Sequence, residues 1–154
     1  MARTKSEILV TQSIIDRLTD REQWPETRSA SINMYRESLK RDLEWLLNTR
    51  QPVMPELEPY PATAASVLNF GFPDIRSFDG GAGKEQNSLL LALERCIRTF
   101  EPRIAQPHVF LTRSDPLNRH LRFHIEGRIS YEDLDEEIKF DTVLELISGE
   151  YEVK

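Results

Sequence analysis

In three stretches of the first hundred residues, apolar side chains recur every three or four positions; after Pro107 they alternate with polar ones. The first period is that of one helix face and the second that of one sheet face. SIIDRLTD (13–20) predicts a short helix with Ile14, Ile15 and Leu18 on one side. Residues 20–28, with Trp24-Pro25, read as a loop. Ile32, Tyr35, Leu39, Leu43 and Leu46 then form the stripe of a longer helix, with Ser29 or Ser31 as its cap and Asn48 and Pro52 marking its end.

Pro52, Pro55, Pro59 and Pro61 predict an extended, irregular stretch, because each fixes φ and removes a backbone donor. In SVLNFGFPDI (66–75), Gly71 and Pro73 interrupt any long element, and DGGAG (79–83) reads as a flexible loop. A second long helix is predicted from about Lys84 to Phe100, burying Leu89, Leu90, Leu93, Cys96, Ile97 and Phe100, with Leu91 near its edge. HVFLTR (108–113) is a strand candidate, and 114–118 has turn chemistry. In RHLRFHIEGRIS (119–130), Leu121, Phe123, Ile125 and Ile129 face inward and Arg122, His124, Glu126 and Arg128 outward. YEDLDEEIK (131–139) reads as an acidic connector to FDTVLELI, and Ser148-Gly149 turns into a last strand, EYEVK. The expected fold is α+β: N-terminal helices packed on a small, mainly antiparallel C-terminal sheet. No internal repeat is present. The organisation expected is one domain over 1–154, with a helix and loop (1–28), a helical part holding the proline-rich connector 52–61 (29–100), and a sheet (101–154).

At 154 residues, a single domain buries roughly 70% of its unfolded surface and needs neither metal nor disulfide for stability. The net charge of −6 and the lack of a long basic run argue against nucleic acid as a partner. One cysteine, Cys96, excludes an internal disulfide framework and fits a reducing compartment. No apolar run reaches the ~20 residues of a membrane span, and MARTKSEILVTQ lacks a signal-peptide core, so the expected location is the cytoplasm.

Candidate chemistry is sparse. GGAGK (80–84) imitates a phosphate loop but has Phe78 where the first glycine belongs and Glu85 where Ser or Thr would hold magnesium. Asp133, Asp135 and Glu137 imitate a calcium loop, yet Ile138 and Leu144 stand where Gly and Glu are required, so a solvated acidic loop is expected. His120 and His124 share one strand face but lie roughly 13 Å apart, too far for both to bind one ion directly. His108 is read with them as a sheet-surface histidine. Cys96, on an apolar stripe with no base beside it, reads as a small core residue. There is no G-x-S-x-G nucleophile elbow. No catalytic residue, cofactor or metal is expected.

Glu101-Pro102-Arg103, in RTFEPRIAQP, stands apart. A helix stop needs only the proline, which pushes the residue before it out of helical geometry. In an extended chain Glu101 and Arg103 would project side by side between the inward-facing Phe100 and Ile104. The bland reading is a surface ion pair worth about 0–1 kcal/mol; the sharper one is a rigid charged prong aimed at a partner.

In order along the chain, SIIDRLTD, YRESLKRDLEWLLNTR, SVLNFGFPDI, RTFEPRI, LRFHIEGRI and FDTVLELISGEYEV resemble the TssE family, the small wedge subunits of type VI secretion baseplates and counterparts of a contractile-phage baseplate wedge protein. The resemblance covers nearly the whole chain. It implies a non-enzymatic building block whose Glu101, Pro102 and Arg103 engage the core bundle of the larger wedge subunits, two F components and one G component. It also implies a sheet like the handshake domain of the contractile sheath, offering a strand edge on which the first sheath ring starts. Strands 108–113 and 150–153 are the candidate edges. Reversal of Arg103 to glutamate is then expected to leave the fold intact and stop assembly. A phage-tail-like particle is the alternative setting. The wider family has also carried a lysozyme label, but an arginine beside Glu101 favours the charged carboxylate, the wrong state for a general acid.

Overall fold

The computed structural model describes residues 9–10, 12–19, 25–52, 54, 59–73, 84–115, 120–131, 134–145 and 150–153. Two units divide within the second helix: Met1–Asp42 and Leu43–Lys154.

In the first unit, α1 (Ile14–Thr19) and the start of α2 (Arg28–Asn48) carry the order. Ser13 caps α1: its hydroxyl oxygen accepts the Asp16 N–H at 3.1 Å and its O–H donates to Asp16 Oδ2 at 2.7 Å. Asp16 also accepts from the Ser38 hydroxyl at 2.7 Å and pairs with Arg41 Nη2 at 2.8 Å. The polar side of α1 is therefore the anchored side. Ile14, Ile15 and Leu18 share the predicted face, but it points outward at 73, 63 and 65% exposure. The α2 cap is Thr27, whose Oγ1 accepts the Ala30 N–H at 3.2 Å, not Ser29 or Ser31. Ser31 is instead buried, accepting the Val10 N–H at 3.0 Å and donating to Arg28 O at 2.7 Å.

Burial alone would raise the Asp16 carboxyl, but hydrogen bonds from Ser13, Ser38 and Arg41, with the Arg41 charge, outweigh it and hold the group below its usual value. A depressed folded-state value means stability that is present above the unfolded value and lost as pH falls through the folded one. Asp16→Asn should therefore cost about 1–2 kcal/mol at pH 7 and flatten the acid limb of a pH–stability curve below about pH 4. Chemical denaturation at pH 7 and pH 3 checks it; equal losses at both would show that the charge is immaterial.

In the second unit, α2 ends with Leu43, Leu46 and Leu47 buried. Beyond it Arg50 bridges Phe72 in parallel: the Phe72 N–H donates to Thr49 O at 2.8 Å and the Gln51 N–H to Phe72 O at 2.9 Å. Gly71 makes this crossing with φ +118°. Of the proline-rich stretch, Pro61 opens the short helix α3 (Pro61–Ala64), the helical position that proline tolerates. A 3-10 turn follows at Val67–Asn69. The sequence reading placed no element in either. DGGAG lies outside the described residues. Helix α4 (Lys84–Phe100) has the expected extent, though Leu90 and Phe100, expected on its buried face, are only half-buried. It buries Leu89, Leu93, Cys96 and Ile97 and leaves Leu91 exposed.

The sheet is antiparallel in the order β1-β2-β3-β4, formed by Ile104–Asp115, His120–Tyr131, Leu134–Glu145 and Glu150–Val153. The α+β prediction holds, with strands longer than predicted. β1 starts at Ile104, before HVFLTR, because a bulge sets Gln106 (φ +52°) and Pro107 opposite Gly127. The extra residue flips the phase, so Ile104 and Val109, five apart, both face the core. Ser114 and Asp115, predicted to turn, still pair with β2; 116–118 lie outside the described residues. Most of the predicted acidic connector is strand as well: from Leu134 onward it pairs residue for residue with β2. The run Asp135-Glu136-Glu137 hid it, since it breaks the alternation that Ile138 and Phe140, both buried, continue. Asp135 and Glu137 thus sit in a strand, not in a solvated loop; Asp133 lies outside the described residues.

Candidate functional site

Helix α4 hands over to β1 through Glu101, Pro102 and Arg103. The Glu101 N–H still donates to Ile97 O at 2.8 Å, and the Ile104 N–H donates to Glu101 O at 3.1 Å. The four residues thus close a β-turn with proline at its second position, where its fixed φ is suited. This corrects the extended geometry expected: in a turn the two charged side chains converge instead of projecting in parallel. Arg103 Nε donates to Glu101 Oε1 at 2.6 Å and Nη2 to Oε2 at 2.5 Å, a bidentate pair. Glu101 is only 5% exposed, while the Arg103 side chain is 26% exposed and Pro102 is exposed. Ile104 is buried, and Phe100 packs edge-on against Phe70 at 5.5 Å. The structure therefore brings all three predicted site residues together, but with Glu101 as an internal clamp. Pro102 is exposed, and the Arg103 guanidinium, its plane fixed by Glu101, is partly so.

The outer sheet face carries a second polar group. His124 Nδ1 lies 2.8 Å from Asp141 Oδ1 and its Nε2 3.4 Å from Glu126 Oε1, while Lys139 Nζ reaches Glu126 at 3.0 Å. The Lys139 hydrogen bond, then its charge and those of His124 and His108, outweigh a smaller opposing effect of burial and hold the Glu126 carboxyl below its usual value. Among the described residues no three His, Cys, Asp or Glu side chains group as a metal requires. Cys96 is buried, its thiol donates to Gly71 O at 3.3 Å, and burial pushes its pKa up to about 12. It is a core residue, as read from the sequence, and stays a thiol at neutral pH.

Two polar side chains that the sequence reading passed over act on the sheet ends. Glu94 of α4 accepts the Val109 N–H of β1 at 3.0 Å. Asn48, taken only as a helix end, uses both halves of its amide on β4: Oδ1 accepts the Tyr151 N–H and Nδ2 donates to Tyr151 O, each at 2.8 Å. No local pattern announces a partner 103 residues away.

Residues 33–133 match the family of baseplate wedge protein gp25, and the chain belongs to that family. The match holds α4, the Glu101-Pro102-Arg103 turn, β1 and β2, and bears out the family resemblance drawn from the sequence. No curated protein matches the chain significantly. Among solved structures, the chain is similar to one in a structure described as "The baseplate complex from the type VI secretion system", at 18% identity and a TM-score of 0.47, covering 72% of this chain and 94% of that one. Its role as a structural part of a baseplate follows from the family. Among the described residues no helix is long and apolar enough to cross a membrane.

Proposed function

We propose that this chain is the small wedge subunit of a type VI secretion baseplate, joining the core bundle of the larger F and G subunits to the contractile sheath. The observation that carries the reading is family membership over a segment with the Glu101-Pro102-Arg103 turn at the junction of helix and sheet. Pro102 and the outer side of Arg103 meet the core bundle; an edge of the sheet receives the first sheath subunits through main-chain hydrogen bonds. The protein works in the cytoplasm, at the inner face of the membrane, without cofactor or catalysis. As a general acid Glu101 is badly placed, because both its oxygens are taken by Arg103.

Arg103→Lys tests the contact. It keeps a cation beside Glu101 but loses the two-pronged geometry. Co-purification with the F and G subunits should weaken at least about tenfold, roughly 1.4 kcal/mol, while the circular-dichroism spectrum stays that of the wild type. Undiminished co-purification would overturn the role of Arg103. Charge reversal is a poorer test, since it sets two carboxylates against each other inside the fold.

A further inference from the structure

A cleft of about 480 Å³ opens between α4 and the segment that runs from α3 through the 3-10 turn to Gly71. All its lining residues belong to the second unit. Ala64 and Ala65 line it from α3 and its end, and Ala92, Cys96 and Phe100 from α4. These side chains are small except the last, which leaves room for a guest. The surroundings are apolar as well. Leu91, one turn before Arg95 on α4, is 62% exposed. The 3-10 turn between the lining residues Ala65 and Asn69 carries Val67 and Leu68 at 83 and 57% exposure. The cleft reaches Phe100, the residue before the Glu101 turn.

The polar side chains of the lining are mostly spent inside the chain. The Asn69 amide donates to Ala64 O at 2.9 Å and the Gln51 amide to Asn69 O at 3.2 Å. The Thr99 hydroxyl donates to Arg95 O at 2.8 Å, and the Cys96 thiol is turned to Gly71 O. Arg95 is the exception. It is exposed on the cleft, and among the described residues its guanidinium has no ion pair. The neighbouring carboxylates do not compensate it: Glu94 accepts the Val109 N–H, and Glu101 is held by Arg103. In a chain of net charge −6, the end of α4 with Arg95 and Arg98 is therefore locally positive. The main chain around the cleft is occupied too, by helical bonding and by the Thr49–Phe72 crossing that pairs Gln51 and Phe72. A guest cannot join it as a strand and must satisfy its own backbone, as a helix does.

We infer that this cleft is the docking groove for one amphipathic helix of the larger wedge subunits, which seats apolar side chains beside Ala64, Ala65 and Ala92 and sets a carboxylate on Arg95. Apolar burial supplies the binding, and the charge pair selects the helix and fixes its register. The inference rests on the proposed wedge role and adds to it a second contact next to Pro102 and Arg103.

The test places a photo-crosslinking residue, p-benzoylphenylalanine, at Ala65 in the full chain, co-expressed with the F and G subunits. Phe110, on the outer sheet face, is the control position. Irradiation should join position 65 to one segment of F or G that carries apolar residues at helical spacing and an Asp or Glu among them. Arg95→Glu should weaken co-purification about tenfold and abolish that crosslink, with thermal melting unchanged, while Arg95→Lys retains most of both. Wild-type behaviour of Arg95→Glu would overturn the groove, as would a crosslink from position 65 to a second copy, to the chain itself, to a sheath subunit or to nothing. If Arg103→Lys weakens co-purification while position 65 captures no helix, the proposed function stands and the groove falls. If position 65 captures the helix in a wedge that tolerates Arg103→Lys, the groove stands and the role of Arg103 falls. A wild-type chain that does not bind F and G at all would sink both.

Discussion

Arg103→Ala should lower the stability of the chain by about 3 kcal/mol, although the residue it removes is partly exposed. The loss comes from what stays behind. Glu101 is buried, and Arg103 satisfies both its carboxylate oxygens and supplies its counter-charge. A carboxylate left in that position must be hydrated by local opening or take up a proton, and either is costly. In a chain of this size the melting temperature should fall by about 6–12 °C. Glu101→Gln in the same background removes the stranded charge and should recover a large part of the loss, as a buried pair deleted whole costs less than one halved. Urea denaturation of the single and double variants reads both numbers. A wild-type midpoint for Arg103→Ala would mean that Glu101 does not depend on it. On the same ground charge reversal at Arg103 should disturb the fold as well as the contact, because Arg103 braces the buried Glu101.

Gly71→Ala is the second large effect, about 3 kcal/mol or more, through two causes that add. At φ +118° an L side chain is strained wherever there is room for it. Here there is none: a Cβ would lie 2.4 Å from the Thr49 carbonyl oxygen and 3.0 Å from the Gln51 nitrogen, both backbone atoms. Relief requires the Thr49–Phe72 crossing to open, with its two hydrogen bonds. Phe72 would move too, and with it the edge-on contact to Tyr151 at 5.8 Å. Thermal melting gives the magnitude, and faster amide exchange at Gln51 and Phe72 locates it. A variant with wild-type melting would show that the crossing is not as close as described.

Where one residue's neighbours lie within a turn or two, the sequence was a good guide. The stripes of α2 and α4 needed only the 3.6-residue period. The inward set Leu121, Phe123, Ile125 and Ile129 needed only the period of two. The strands that were cut short failed for definable reasons. The bulge at Gln106 and Pro107 reverses the phase of β1, so no single alternation spans it. β3 begins in acidic residues whose strand state is imposed by the twelve pairings with β2. Asp16 turning α1 polar side inward was equally hidden, since an apolar face in a sequence does not say which way it points.

The triplet Glu101-Pro102-Arg103 was legible as a feature and not as a geometry. Its composition announced a charged helix stop, and its resemblance to the wedge family marked it as a contact. Which charge faced inward depended on the turn that the Ile104 N–H closes onto Glu101.

By itself the amino-acid sequence determined the two long helices, the antiparallel character of the second half and the family, because these rest on local periodicity and on short matched motifs. Only the tertiary structure decided that Glu101 is a buried clamp, that Glu94 accepts the Val109 N–H and that the Asn48 amide holds both backbone groups of Tyr151. Those outcomes depend on which backbone groups are left without a partner once distant segments meet, a quantity no local pattern encodes.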